Sequence, residues 1–186
     1  IAAARSCRRF LAENARSARA FLKSISHPLP IAELEIIEIG HDPDLSLLTA
    51  WLEPVAAGAD TAIVSESGCP AVADPGAVIV ARAEAMGIRV RPMIGPCSIL
   101  LTLMASGMNG QRFRFLGYLP IDNSDRTQAL SELEAASRLG ETQLFIETPY
   151  RNNRLLESMT DVFSASTRIT VAVDVTGQEE SIRTKT

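Results

Sequence analysis

Ser65-Glu66-Ser67-Gly68-Cys69-Pro70-Ala71-Val72-Ala73-Asp74-Pro75-Gly76 is the stretch from which the fold is read. An apolar run, Thr61 to Val64, comes before it and predicts a strand. A helical run, Ala77 to Met86, follows. The two glycines and two prolines in between continue neither element, so the segment is a loop. In an open α/β sheet, loops at the carboxyl ends of strands are where ligands bind. Gly68 has no Cβ and leaves room for close approach to the backbone. Asp74 precedes Pro75-Gly76, where an acidic side chain caps a helix and proline opens it.

Upstream, Arg9 to Glu13 predicts a short strand. Asn14 is placed to cap a helix over Ala15 to Ser24, with Ala18, Phe21, Leu22 and Ile25 on its inner side. His27-Pro28-Leu29-Pro30 breaks that helix. Leu34 to Ile39 predicts a second strand, and Asp44 to Ala57 a helix with Leu45, Leu48, Leu52 and Val55 at helical spacing and Gly58 at its end. Downstream, Ile88 to Met93 predicts a further strand. Ile94-Gly95-Pro96-Cys97-Ser98 then opens a helix that closes at Gly107. Strand and helix alternate, which predicts a parallel sheet with helices on both faces.

The character changes after Gly107-Met108-Asn109-Gly110. Arg112 to Tyr118 alternates Phe113 and Phe115 with Arg112 and Arg114, as a strand of a mixed or antiparallel sheet does. A polar helix over Asn123 to Arg138 turns Leu130 and Leu133 inward. Thr142 to Glu147 predicts a strand, Thr148-Pro149-Tyr150 a turn, and Arg151 to Val162 a helix. Arg168 to Val173 predicts a strand with Ile169, Val171 and Val173 on one face, and Ser181 to Lys185 the arm of a hairpin. The expected architecture is two α/β domains, 1–109 with a mostly parallel sheet and 110–186 with a mixed sheet.

The totals narrow the class. Of 186 residues, 46% are hydrophobic and 22% charged, enough for a real core. A net charge of -4 argues against a generally basic nucleic-acid binder and leaves room for a local basic patch. Three cysteines without a C-x-x-C pair, set apart from the two histidines, predict neither a zinc site nor a disulfide framework, and no other metal. A reducing, cytoplasmic setting fits. No apolar run reaches membrane-spanning length. The start at Ile1 reads as the tail of a helix, so earlier residues are expected before it.

The common catalytic signatures are missing: G-x-S-x-G, H-E-x-x-H and G-x-x-x-x-G-K-[ST]. His27 and His41 stand at proline-bounded turns and are expected to face solvent. Cys69 and Cys97 follow strand ends, where they serve as packing groups or lie beside a ligand. The helix opened by Cys97-Ser98 presents free N–H groups, and two strand-end loops of small residues make a crevice for a flat polar ligand. Arg5, Arg8, Arg9, Arg16, Arg19 and Lys23 cluster near the start; they meet phosphates or form solvated helix faces.

The main loop, with Gly87-Ile88-Arg89-Val90, Gly95-Pro96-Cys97-Ser98 and Ala105-Ser106-Gly107-Met108, resembles the tetrapyrrole (corrin/porphyrin) methylase superfamily. Within it the chain is most similar to the small-subunit ribosomal RNA cytidine 2′-O-methyltransferases. That likeness is also carried by Ala12-Glu13-Asn14-Ala15-Arg16, Phe115-Leu116-Gly117-Tyr118-Leu119-Pro120 and Phe145-Ile146-Glu147-Thr148-Pro149-Tyr150-Arg151. The chain differs in having Asn14-Ala15 where that branch usually has Asp-Thr, and Cys69 where it usually has a small polar residue.

The resemblance implies S-adenosylmethionine as methyl donor, a homodimer, and a donor cleft between the two domains. By position it assigns donor contacts to Ser67, Gly68 and Cys69, with Val72 as an apolar contact, to Cys97 and Ser98, to Glu147, and to the neighbourhood of Ala172 to Asp174. The implied acceptor is a ribosomal RNA ribose hydroxyl or a tetrapyrrole carbon. A protein that binds the donor without turnover is the remaining alternative. If the acceptor is a hydroxyl, Glu13 at a strand end and Glu66 in the main loop are the candidate bases; a capping or surface role is the alternative for each.

Overall fold

The computed structural model describes every residue from Ile1 to Thr186. The chain divides into two compact units, Ile1–Gly95 and Pro96–Thr186. The change of character at Asn109 thus falls inside the second unit.

The first unit begins with a short helix, α1 (Ala2–Ser6), and alternates strictly thereafter: β1 (Arg9–Ala12), α2 (Ala15–Ser24), β2 (Glu35–Glu38), α3 (Leu48–Ala56), β3 (Thr61–Val64) and α4 (Gly76–Ala85). The three strands form a parallel sheet in the order β2-β1-β3. Arg9 stands level with Glu35 on one side and Thr61 on the other, and Ala12 with Glu38 and Val64. Successive side chains of a strand point to opposite faces. Phe10, Ile36, Ala62 and Val64 therefore pack with Leu22 and Leu34 on one face. Leu11, Ile37 and Ile63 pack with Leu48, Trp51, Leu52, Ile79 and Ala83 on the other. Helix α2 covers the first face, and α3 with α4 the second. The central strand is buried throughout, which is why it holds no outward polar residue.

Arg9 is the exception in chemistry and not in burial. Its Nε lies 3.0 Å from Glu35 Oε2, and its Nη1 donates to the Trp51 carbonyl at 2.7 Å and to Thr61 Oγ1 at 3.3 Å. Arg9 ties the sheet's three strands to α3, and it leaves the surface cluster in which the sequence placed it.

Three expectations in this unit are corrected. Ile88 to Met93 forms no strand: β3 pairs with β1 alone, and Val90, Met93 and Ile94 are exposed. With no neighbouring backbone to close a ladder, apolar content by itself makes no strand. Phe21 is 40% exposed, because it lies off the Ala15–Ala18–Leu22 stripe that α2 buries. Leu45 is exposed because Leu45–Leu47 is a 3-10 turn, which breaks the helical phase ahead of α3.

The second unit comprises α5 (Ser98–Ser106), β4 (Phe113–Tyr118), α6 (Asn123–Arg138), β5 (Thr142–Ile146), α7 (Asn152–Val162), β6 (Ile169–Val173) and β7 (Ser181–Lys185). β4 and β5 pair in parallel, with a register shift between Phe115 and Tyr118 where Gly117 takes a positive φ of 70°. β6 and β7 pair antiparallel. The expected mixed sheet is thus two separate pairs, and β4 is a parallel strand despite its alternation. Leu119, Leu130, Leu133, Leu155 and Met159 form the core, with α6 against α7.

In the β6–β7 hairpin, Thr170 Oγ1 lies 2.8 Å from Thr184 Oγ1, and Thr184 reaches the Ser106 carbonyl of α5 at 3.3 Å. Helix α5 covers that face. Ile169, Val171 and Val173 share the other face, as expected, and Val171 and Val173 are exposed on it.

Candidate functional site

Three side chains meet at the carboxyl edge of the first unit's sheet. Glu13 directly follows β1, His41 follows β2 at the Gly40 turn, and Glu66 follows β3. Parallel strands in register bring these three strand ends together, although they are far apart in sequence. Glu13 Oε1 lies 2.8 Å from His41 Nδ1, and Glu13 Oε2 accepts the Glu66 backbone N–H at 2.8 Å. Ser17, in the first turn of α2, donates its hydroxyl to Glu66 Oε1. The liganding atoms of Glu13, His41 and Glu66 all lie within 4.8 Å of one another. A His and two carboxylates are a donor set a divalent ion could use. Hydrogen bonds inside the group already account for each member.

The start of α2 closes one side of this edge. Asn14 Oδ1 accepts from the Arg16 and Ser17 N–H groups at 2.9 and 3.0 Å, the capping role expected of it. Glu38 Oε2 accepts from Ala15 N–H at 2.9 Å. With no acidic residue in its first turn, α2 is fixed to the sheet by capping from Asn14 and Glu38.

The long loop after β3 has a shaped backbone. Asp74 Oδ1 accepts from both Ala71 N–H (2.8 Å) and Gly76 N–H (2.7 Å), and so holds the loop's end onto α4. A Cβ on Gly76 would meet that oxygen at 2.8 Å and Ile63 Cγ2 at 3.2 Å, so glycine is needed there for close packing. Gly68, Ala71 and Ala73 all adopt the left-handed region, with φ of 74°, 67° and 52°. For alanine that conformation is strained, and such strain persists where surrounding bonds over-determine it. Around Gly68 nothing lies within 4 Å of where a Cβ would stand. The Ser67 and Gly68 N–H groups make no hydrogen bond within the chain. Ser67 and Gly68 are exposed, Cys69 is half-buried, and Val72 is 45% exposed.

The other residues expected to contact the donor lie in the second unit. Cys97 is the N-cap of α5 with extended backbone and makes no side-chain cap; Ser98 is the first helical residue and is exposed. Glu147 is buried. Its Oε1 accepts from Thr148 N–H at 2.8 Å, and its Oε2 stands 3.0 Å from Arg151 Nη2, off the axis of a hydrogen bond. Arg151 also donates to the Leu119 carbonyl at 2.9 Å. The pair borders a small pocket of about 50 Å³ lined by Ile121, Arg126, Arg154 and Leu155. After Ala172, Asp174 takes a φ of 49° and accepts from Glu179 N–H at 2.9 Å, which shapes the hairpin turn.

His41 is exposed, as expected. His27 is half-buried, contrary to expectation: its Nε2 lies 3.0 Å from the Cys7 carbonyl, and its ring meets Phe10 edge-on at 6.2 Å. Sequence reading named Glu13 and Glu66 singly and missed their grouping with His41 and Ser17. The available signal was that each of Glu13, His41 and Glu66 stands just past a strand of one parallel sheet.

The family model for the Tetrapyrrole (Corrin/Porphyrin) Methylases matches residues 1–186. A protein of Pseudomonas aeruginosa named "Ribosomal RNA small subunit methyltransferase I" is 35% identical over 133 residues, covering 72% of this chain and 46% of its own length. A protein of the same name from Xylella fastidiosa is 30% identical over 171 residues, covering 92% of this chain and 60% of its own length. The chain therefore spans about half the length of these curated relatives. Among solved structures, the methyltransferase CobJ superposes with a TM-score of 0.63 at 21% identity, covering 99% of this chain and 77% of that one. That likeness is one of fold. No helix is long and apolar enough to cross a membrane.

Proposed function

Because the chain belongs to the tetrapyrrole (corrin/porphyrin) methylase family, we propose that it works as an S-adenosylmethionine-dependent methyltransferase on a ribose 2′-hydroxyl of ribosomal RNA. The names of the relatives support ribosomal RNA as the acceptor class. The observation that carries the reading is the loop after β3, set directly beside two carboxylates at the sheet's carboxyl edge.

That loop fits the donor's chemistry. Open space over Gly68 and the free N–H groups of Ser67 and Gly68 suit the hydroxyl and carboxylate oxygens of a sulfonium nucleoside. Val72 offers an exposed apolar surface beside them. Ser67, Gly68, Cys69 and Val72 are the donor contacts of the first unit in this proposal. Cys97, Ser98, Glu147 and the Ala172–Asp174 segment are assigned donor contact by resemblance.

When bound, the donor supplies an electrophilic methyl group on sulfur. Transfer breaks that carbon–sulfur bond, forms a carbon–oxygen bond to the ribose and releases the hydroxyl proton. The chain's task is to align the acceptor and take that proton. Glu66 is the better placed base, since it is exposed and its Oε2 carries no partner, whereas both oxygens of Glu13 are engaged. Glu13 positions Glu66 through its backbone N–H. A homodimer in the cytoplasm completes the proposal.

The test is a calorimetric titration with S-adenosylmethionine, followed by transfer of a radiolabelled methyl group to small-subunit ribosomal RNA. Saturable binding with label in a 2′-O-methyl nucleoside is expected. Label found only on a tetrapyrrole, or binding with no product on either acceptor, would overturn the assignment.

A further inference from the structure

Helix α2 carries Arg16, Arg19 and Lys23 at i, i+3 and i+7, which places them on one face. All three are exposed, and none makes an ion pair or a side-chain hydrogen bond. No acidic residue lies anywhere in Ala15–Ser24. In a chain of net charge -4, this is an unneutralised cationic stripe about 10 Å long. Its flank, Ala15, Ala18 and Leu22, is buried against the sheet, so the helix is anchored while the stripe stands clear.

The stripe's direction follows from the topology. Its first turn lies at the carboxyl edge of the sheet, where Ser17 bonds Glu66. The helix then runs back toward the opposite edge, where His27 meets the Cys7 carbonyl and exposed Arg8 precedes β1. A polyanion laid along the cations would thus reach the Glu13–Glu66 group at one end. Surface cations are usually offset by neighbouring carboxylates. At the helix's first turn, Glu13 is engaged with His41 and the loop backbone, and Glu66 Oε1 with Ser17.

We propose that the Arg16–Arg19–Lys23 face of α2 is the docking surface for the phosphate backbone of single-stranded RNA, delivering a ribose to the Glu66 end of the helix. The assignment rests on the methyltransferase reading for what happens at that end, and on charge complementarity for the docking itself. Cation contacts to phosphates release counterions and give affinity a steep salt dependence that is largely blind to base sequence.

The experiment compares the protein with its Arg16→Gln/Arg19→Gln/Lys23→Gln variant. Binding of a fluorescent single-stranded RNA is followed by anisotropy across a range of salt concentrations. The slope of log affinity against log salt is expected to shrink by about 2, since each lost phosphate contact removes about 0.7. Affinity at low salt is expected to fall roughly tenfold or more. A control variant, Arg183→Gln/Lys185→Gln, removes exposed charge from β7 and is expected to leave the slope unchanged. An unchanged slope in the α2 variant, or an equal loss in the control, would overturn the proposal. So would loss of binding to phosphatidylserine vesicles with RNA binding intact, since the stripe would then serve a membrane surface. Donor titration on the same samples separates the two readings. Failure of the unmodified protein to bind donor counts against the methyltransferase alone, and an unchanged RNA slope counts against the stripe alone.

Discussion

Glu13 Oε1 lies 2.8 Å from His41 Nδ1, and the same carboxylate holds the Glu66 backbone N–H at 2.8 Å through its other oxygen. One side chain at the end of the central strand thus fixes the turns that follow both its neighbours. The arrangement makes Glu13 a brace for the loop after β3. Glu13→Ala is expected to free the start of that loop and weaken S-adenosylmethionine binding by roughly tenfold, the worth of one hydrogen bond to a charged group. Calorimetric titration checks this. Donor affinity equal to that of the unmodified protein would remove Glu13 from the positioning role.

Glu66→Gln keeps the shape of the side chain and an oxygen to accept from Ser17, and removes the base. Methyl transfer to RNA is expected to slow by about 100-fold or more, the usual contribution of general base catalysis, with donor affinity little changed. Single-turnover rates measured over a pH series separate loss of a base from loss of binding. A rate within a few-fold of the unmodified protein at every pH would dismiss Glu66.

Gly68 has a φ of 74° and open space where a Cβ would stand. The consequence of Gly68→Ala is therefore backbone strain, of about 1 kcal/mol, with no internal clash. Denaturant unfolding should show that modest loss. Donor affinity should fall by more than the stability does, because the added methyl occupies the space over the backbone. A variant destabilised as expected but binding donor normally would move the donor away from this loop.

Glu134 supplies the pH dependence. Burial alone would raise its pKa; hydrogen bonds from Thr167 Oγ1 and Ser164 N–H and the Arg138 guanidinium outweigh that and hold it below the usual carboxylate value. A carboxylate whose folded pKa is depressed adds stability that is present above its unfolded pKa and lost as pH falls through the folded one. The second unit is expected to lose stability on acidification below about pH 4.5, and Glu134→Gln to flatten that loss. Thermal melts of both proteins from neutral to acid pH check this. Parallel profiles would show that another group governs the acid response.

Much of the fold was legible because its signals are local. The bounds of α2 and α6 follow from a capping residue at the start and a change of periodicity at the end: Asn14 accepts from Arg16 and Ser17, and Asp122 from Ser124 and Asp125. The start of α4 at Gly76 was marked by Pro75, which is its N-cap without a side-chain cap, while Asp74 one residue earlier accepts from Gly76 N–H. Ile88 to Met93 failed as a strand because a strand needs a partner, and apolar content says nothing about one. Phe113 and Phe115 alternate with arginines, yet β4 pairs in parallel, since alternation reports one exposed face and leaves direction open. Val171 and Val173 point outward because α5 covers the opposite face of their hairpin.

At the site, residue types were visible and their company was not. Ser67, Gly68 and Cys69 drew attention as small residues in a strand-end loop. Glu13, His41 and Glu66 meet only because β1, β2 and β3 end level with one another. Arg9 looked like one more surface cation until the sheet buried it against Glu35, Trp51 and Thr61.

Apart from the strand expected at Ile88 to Met93 and the start of α3, the succession of strands and helices came from the residues alone, since caps, breakers and hydrophobic period act over a few neighbouring positions. Which charges are spent inside and which face solvent was decided by strand order and register. Those set contacts between residues tens of positions apart, where no local preference reaches.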